Sequence, residues 1–310
     1  MGSASLDFDT WTFAWREFWE RLAPHCSHLD CWRTQTFWRR FRGKPHAILL
    51  QGSRYCLEHC LERALTDLLQ RVGSASKSLA AAHRVPLGLL LLSRQQLTAD
   101  QLRTALAAQR TAGHGRIGEW VQTLGFASEQ QVTAALAKQW SCPLLRMNSF
   151  SPKLQITDGS RVPQIPRTVL EAFLMIPVDY VSATGTLHVA FGDGIDYSVL
   201  YAIEQMAGCR TIPCMAVPSL VRQSLQSLPG RRDENEVVFD QAVDAPEFAR
   251  IVRSYCVRLA ASQVNLVACG PHLWVRLFRP LRPPIDLMLR SLQEAPGALL
   301  AHNSSHSPLF

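Results

Sequence analysis

The feature that most constrains this chain is an internal repeat: a pattern running from Pro86 to Gln109 returns, thirty positions later, from Arg116 to Gln139. At that offset Leu87 matches Ile117, Gly88 matches Gly118, Leu91 matches Val121 and Leu102 matches Val132. Ala105-Leu106-Ala107 with Gln109 likewise matches Ala135-Leu136-Ala137 with Gln139. Thr98 and Gln101 in the first copy, and Ser128 and Gln131 in the second, stand at capping-box spacing. There a hydroxyl and an amide each satisfy an orphan backbone N–H at a helix start. The spacing predicts a helix, a turn and a second helix in each copy, the second helices starting near Ala99 and Glu129. Leu102 and Leu106, like Val132 and Leu136, fall at i and i+4 and share a face. A lone hairpin cannot bury that face, so the copies are expected to stack on each other.

These residues resemble the MshEN-type N-terminal module of the ATPases of type II secretion and type IV pili, the GspE N-terminal domain. Its motif reads Arg-Leu-Gly, paired aliphatics, Gly, two more aliphatics, then Leu, Leu and Gln. Arg116, Ile117, Gly118, Val121, Gly125, Leu136 and Gln139 fall on that pattern, with Gln122 replacing one aliphatic. The first copy keeps Leu87, Gly88, Leu91, Leu92, Leu97, Leu102, Leu106 and Gln109, but has Pro86 for the Arg and Gln95 for the second Gly.

Some members of that family bind cyclic di-GMP through the two motifs. The resemblance implies that Arg116, Gly118, Gly125 and Gln139 would hold one half of the dinucleotide, helped by Gly88 and Gln109. A guanidinium can stack on guanine and pair with phosphate, a glycine lets backbone approach, and an amide reads a base edge. Pro86 cannot serve the other half. A lost charge-assisted contact costs about 1.5–3 kcal/mol, and a left-handed Gln95 roughly 1 more, so affinity should fall by about two orders of magnitude. Arg84 stands two residues upstream as a partial replacement. The other reading makes the repeat a packing scaffold whose arginine is simply solvated.

The resemblance runs from about residue 84 to 280. Leu174 to Val181 and Leu187 to Phe191 read as strands around the turn Ala183-Thr184-Gly185. Tyr197 to Met206 reads as a helix ended by Gly208, Thr211 to Val217 as a strand and Ser219 to Ser227 as a helix. That order predicts a small α/β sandwich, and Gly192-Asp193 stands where the family often has an acidic residue. Residues 229–243 are polar and read as a linker. Ala245 to Ala261 has a helical pattern, and Val264 to Ala268 with Trp274 to Phe278 read as a hairpin, similar to the opening of the ATPase core's N-terminal half.

The catalytic half of those ATPases has no counterpart here. The one Gly-Lys pair, Gly43-Lys44, is followed by Pro45, which excludes a phosphate loop and ATP binding. Neither a Gly-x-Ser-x-Gly elbow nor a His-Glu-x-x-His helix occurs. Cys142, Cys209, Cys214, Cys256 and Cys269 are isolated in apolar surroundings, as buried thiols rather than nucleophiles. Asp193, Asp196 and Asp240 read as turn and linker residues. The expectation is a protein that is not an enzyme.

Ahead of the repeat, Cys26 and Cys31 precede Cys56 and Cys60, both pairs within reach of structural zinc spacing. Ala47 to Gln51 reads as a strand, and the second pair opens a helical pattern. A treble-clef-like zinc module fits, with His25, His28 and His59 as rival ligands; the alternative is that these cysteines are small buried apolar residues. Residues 8 to 23 read as a helix whose Trp11, Trp15 and Trp19 form one stripe, either core or a docking face for a partner. Arg33, Arg39, Arg40, Arg42 and Lys44 lie among Trp32, Phe37, Trp38 and Phe41, either a solvated basic face or, as a third function, a nucleic-acid-binding surface beside the zinc module.

Nine cysteines, an odd number, suit free thiols or metal ligands in a reducing compartment. No apolar run reaches the roughly 18 residues of a membrane span, and no secretory signal is recognisable at Met1, so a cytoplasmic location is expected. The predicted organisation is α+β and multi-domain. An aromatic helix with a zinc module (1–75) leads through the linker Gly73 to Lys77 to the bihelical repeat (84–145) and the α/β sub-domain (162–228). A helix plus hairpin (245–290) and a disordered tail (291–310) complete it. The expected work is recognition of a protein partner in a secretion, pilus or other envelope-associated assembly, with cyclic di-GMP binding as the alternative.

Overall fold

The computed structural model describes residues 26–28, 30–31, 47–57, 59–75, 84–145, 163–228, 235–270 and 272–291. Trp11, Trp15, Trp19, the basic aromatic stretch 32–44 and the tail beyond Ser291 lie outside the described residues. Among those described, nine helices and nine strands form a mixed α/β structure with two sheets. The chain divides into two compact units, one made of residues 1–77 with 235–310 and the other of residues 78–234.

The first unit is built on a six-stranded sheet. Its strands are β1 (Ala47–Leu50), β2 (Ser53–Cys56), β6 (Glu236–Val243), β7 (Gln263–Cys269), β8 (His272–Arg279) and β9 (Arg282–Ser291), in the order β2-β1-β7-β8-β9-β6. β1 pairs in parallel with β7 and β6 with β9, while the other pairs are antiparallel. The segments 1–75 and 245–290, expected as separate modules, thus contribute strands to one sheet, β1 and β2 from the former and β7 to β9 from the latter. Helices α1 (His59–Ala75) and α9 (Ala245–Arg258) pack together with it. Leu61, Leu65, Phe248, Val252, Val264, Val275 and Leu287 form its core. Arg253 fastens the two helices, donating from Nε to the Leu57 carbonyl (2.8 Å) and from Nη1 to Glu62 (3.0 Å).

Four local expectations change here. The segment 229–243 is no plain linker: Glu236–Val243 is the edge strand β6, whose exposed residues hide the strand signal behind polar composition. Gly73 belongs to α1, which runs to Ala75. Cys56 ends β2 rather than opening a helix, because Gln51 and Gly52, both at positive φ, turn the chain back on β1. β9 went unread because Pro283 and Pro284 interrupt its pattern; it still pairs with β8, with a register shift between Leu277 and Arg279.

The second unit begins with four helices: α2 (Leu87–Ser93), α3 (Ala99–Ala112), α4 (Ile117–Thr123) and α5 (Glu129–Gln139). α3 and α5 each start with a complete capping box, Thr98 with Gln101 and Ser128 with Gln131. Corresponding bonds recur thirty positions on: Gln96 N to Leu91 O (3.0 Å) and Phe126 N to Val121 O (2.9 Å) close the same turn. That turn needs positive φ, supplied by Gln95 (+56°) and Gly125 (+70°). α2 meets α5 and α3 meets α4 around Leu87, Leu91, Ala105, Val121, Val132 and Ala135.

The rest of this unit is a three-stranded sheet, β3 (Met175–Val181), β4 (Thr186–Phe191) and β5 (Arg210–Met215), in that order, β4 and β5 being parallel. Helices α6 (Arg167–Ala172), α7 (Tyr197–Ala207) and α8 (Pro218–Ser227) accompany it, and Gly208 ends α7 in the left-handed conformation. The chain leaving α5 joins this sheet, Leu145 N donating to Met215 O and Met215 N to Pro143 O, both at 2.8 Å.

Candidate functional sites

The polar residues of the repeat motif close the repeat on itself. Gln109 Nε2 donates to the Gly115 carbonyl (2.8 Å), and Gln139 Nε2 to the Val85 carbonyl (2.6 Å). Each terminal glutamine therefore holds the residue just before the other copy's first motif position. Gly88 and Gly118 are buried contacts between helices: a Cβ at 88 would come within 2.7 Å of Leu102, and one at 118 within 3.2 Å of both Leu87 and Val132. Gly125 lies in the open, its lack of a Cβ required by φ rather than by packing.

Arg116 precedes α4 with extended backbone, and its guanidinium reaches Asp193 in the β4–α7 loop at 2.6 Å. Asp193, expected only to shape a turn, is thus the partner of the motif arginine. The pair is exposed, 67% and 47% by side chain, so its net worth is small and Arg116 stays free to exchange partners. A second tie between the repeat and the sheet region is Glu129, which accepts from Ser219 N (2.8 Å) and Ser219 Oγ (2.7 Å).

Around Arg116 the chain gathers an aromatic and cationic surface whose aromatic members, Trp140, Tyr197 and Tyr201, sequence reasoning missed. The Arg84 guanidinium lies 3.4 Å from the Trp140 ring centroid, and Trp140 meets Tyr197 at 6.1 Å. Gly194 sits against both motif neighbours: a Cβ there would stand 3.6 Å from Trp140 and 3.7 Å from Arg116 Nη1. Tyr197 and Tyr201, one turn apart on α7, are 50% and 62% exposed. Their i, i+4 spacing was visible, but it looked like ordinary helix periodicity.

In the first unit Cys26, Cys31, Cys56 and Cys60 converge, their Sγ atoms all within 4.8 Å of one another. Cys31 and Cys56 Sγ are 3.8 Å apart. Burial pushes the Cys56 thiol up to about 11, a hydrogen bond with Cys60 acting the other way, and burial raises Cys60 as well. Elsewhere burial raises Cys214 to about 11 and Cys256 to about 12, and raises Cys142 and Cys209 too. Thiols kept protonated in this way are poor nucleophiles.

No helix among the described residues is long and apolar enough to cross a membrane. No family model matches the sequence, and no curated protein does. Among solved structures, the chain is similar to a structure of MshE with cdg, at 25% identity and a TM-score of 0.38, over 46% of this chain and 98% of that one. It is also similar to the N-terminal domain of XpsE in two crystal forms. One is 19% identical (TM-score 0.36; 45% of this chain, 91% of that one) and the other 20% identical (TM-score 0.30; 44% and 89%). The chain carries a region similar to MshE and to the N-terminal domain of XpsE, spanning just under half of its length.

Proposed function

We propose that this is a non-catalytic, cytoplasmic recognition protein whose second unit, a bihelical repeat joined to an α/β sub-domain, docks on a protein of a secretion or pilus assembly. The observation that carries this reading is the exposed pair Tyr197 and Tyr201 beside Trp140, Arg84 and Arg116. Tyrosine, tryptophan and arginine supply most hot-spot energy at protein interfaces. The motif glutamines, with Gly88 and Gly118, are meanwhile engaged within the repeat, which suits a scaffold presenting a surface. By the resemblance of the repeat, the partner is the cytoplasmic part of an inner-membrane platform protein. Interferometry with that domain immobilised should give saturable binding of the full chain. Tyr201→Ala should weaken it by about tenfold or more, and equal affinity in wild type and variant would refute the reading.

A second reading rests on the stacked Arg84–Trp140 pair with Arg116 across Gly194. Flat cationic and aromatic surfaces accept a guanine, and Arg84 stands in for the arginine that Pro86 displaces. Titration calorimetry with cyclic di-GMP discriminates: binding lost in Arg116→Ala and Trp140→Ala establishes a receptor, and no heat at tens of micromolar leaves the docking surface alone.

A further inference from the structure

The docking surface uses none of the four cysteines of the first unit. We infer that Cys26, Cys31, Cys56 and Cys60 bind one zinc ion as a closed tetrathiolate, fastening the 26–31 segment to the outer edge of the six-stranded sheet.

Geometry is the first support. Four sulfurs at about 2.3 Å from a zinc ion lie about 3.8 Å from each other. Cys31 and Cys56 have that separation, and the whole set lies within 4.8 Å. A disulfide would need its sulfurs at about 2.05 Å, far closer than the Cys31–Cys56 pair. An all-sulfur donor set excludes magnesium and calcium, and the preference of divalent metals for such a site favours zinc over ferrous iron. Of the rival histidines, His28 Nδ1 accepts the Asp30 N–H (3.3 Å) and His59 is exposed, while His25 lies outside the described residues.

The elements supply the second support. Cys56 is the last residue of β2 and Cys60 lies in the first turn of α1, where the helix dipole favours a thiolate. Cys26 and Cys31 come from the segment facing them, which is bonded to β2 through Ser27 N to Arg54 O (2.6 Å) and Arg54 N to Ser27 Oγ (3.1 Å). Among the described residues, β2 is the last strand on that side of the sheet. The side chains buried there are Cys31, Cys56 and Cys60, a cluster distinct from the unit's aliphatic core, with Cys26 packed on it and Tyr55 packed on both. Four protein ligands leave no open coordination position, so the ion would be structural rather than catalytic.

Full-length protein produced in zinc-supplemented medium and purified without chelator is expected to carry about one zinc per chain by plasma mass spectrometry. Cys56→Ser/Cys60→Ser should retain less than about a tenth of it, while Cys142→Ser retains it all. Because the double variant can lose its fold, cobalt(II) added to stripped wild type gives a second readout: tetrahedral d–d bands with thiolate-to-metal charge transfer. Protein that carries no zinc or stoichiometric iron, zinc kept by the double variant, or cobalt that stays octahedral would each overturn the assignment.

Discussion

Gln95 and Gly125 occupy the same turn thirty positions apart, and both have positive φ, +56° and +70°. A side chain with a Cβ costs about 1–2 kcal/mol in that conformation, partly offset by the entropy that a glycine loses on folding. Gln95→Gly should therefore stabilise the second unit by about 0.5–1 kcal/mol. Gly125→Ala should destabilise it by a similar amount, although nothing lies within 4 Å of the added methyl. Urea unfolding of both variants checks the pair, and a destabilised Gln95→Gly would refute the argument. A larger effect is expected at Asp286, which accepts from Nε and Nη2 of Arg276 (2.7 and 2.8 Å) and from the Trp274 indole N–H (2.8 Å) in a buried site. Asp286→Asn keeps the shape but removes the countercharge of a buried cation, a change that costs about 3–5 kcal/mol. A loss below 1 kcal/mol in chemical denaturation would mean that water reaches the site. Neither Arg276 nor Asp286 announced itself in the sequence, since strand residues that face each other across a ladder carry no fixed spacing along the chain.

The helices of the second unit were the most legible elements, for a physical reason. Their boundaries are set by local chemistry: Thr98 Oγ1 and Ser128 Oγ each accept the N–H three residues on, at 3.2 Å, while Gln101 and Gln131 reach back to the cap N–H at 2.9 and 2.8 Å. Thr98→Ala and Ser128→Ala should each cost about 1 kcal/mol. The sites share no partner, so the double variant should lose the sum to within about 0.5 kcal/mol. Thermal unfolding followed by circular dichroism measures this, and a double variant much less impaired than the sum would show that the two helix starts are coupled. Strands β6 and β9 were illegible by contrast. Their partners lie far along the chain or behind prolines, and the ladder Glu236↔Asp286 to Val243↔Ser291 exists only once the sheet is assembled. The cysteine cluster falls between these cases: its spacing was readable, but its strand-end and helix-start placement needed the β1–β2 turn.

At the scale of the whole molecule, the division into two units lets stability respond to pH unevenly. His272, at the start of β8 and opposite Arg290 on β9, has its pKa lowered from 6.5, first by burial and then by the neighbouring guanidinium. A histidine whose folded-state pKa is depressed binds a proton more readily when unfolded. The stability tied to its neutral form is therefore fully present above pH 6.5 and is lost as pH drops through 6.5 toward the lower folded value, where the loss is complete. The loss belongs to the unit that contains residues 235–310. Amide exchange protection, corrected for intrinsic rates, should fall across β7, β8 and β9 on acidification through this window, while the helices α2 to α5 hold theirs. His272→Gln should flatten the slope in the first unit without changing the second. If protection in both units declined in parallel in wild type and variant, the pH response would belong to the chain's overall charge, +7 before any histidine is protonated, and not to this buried ring.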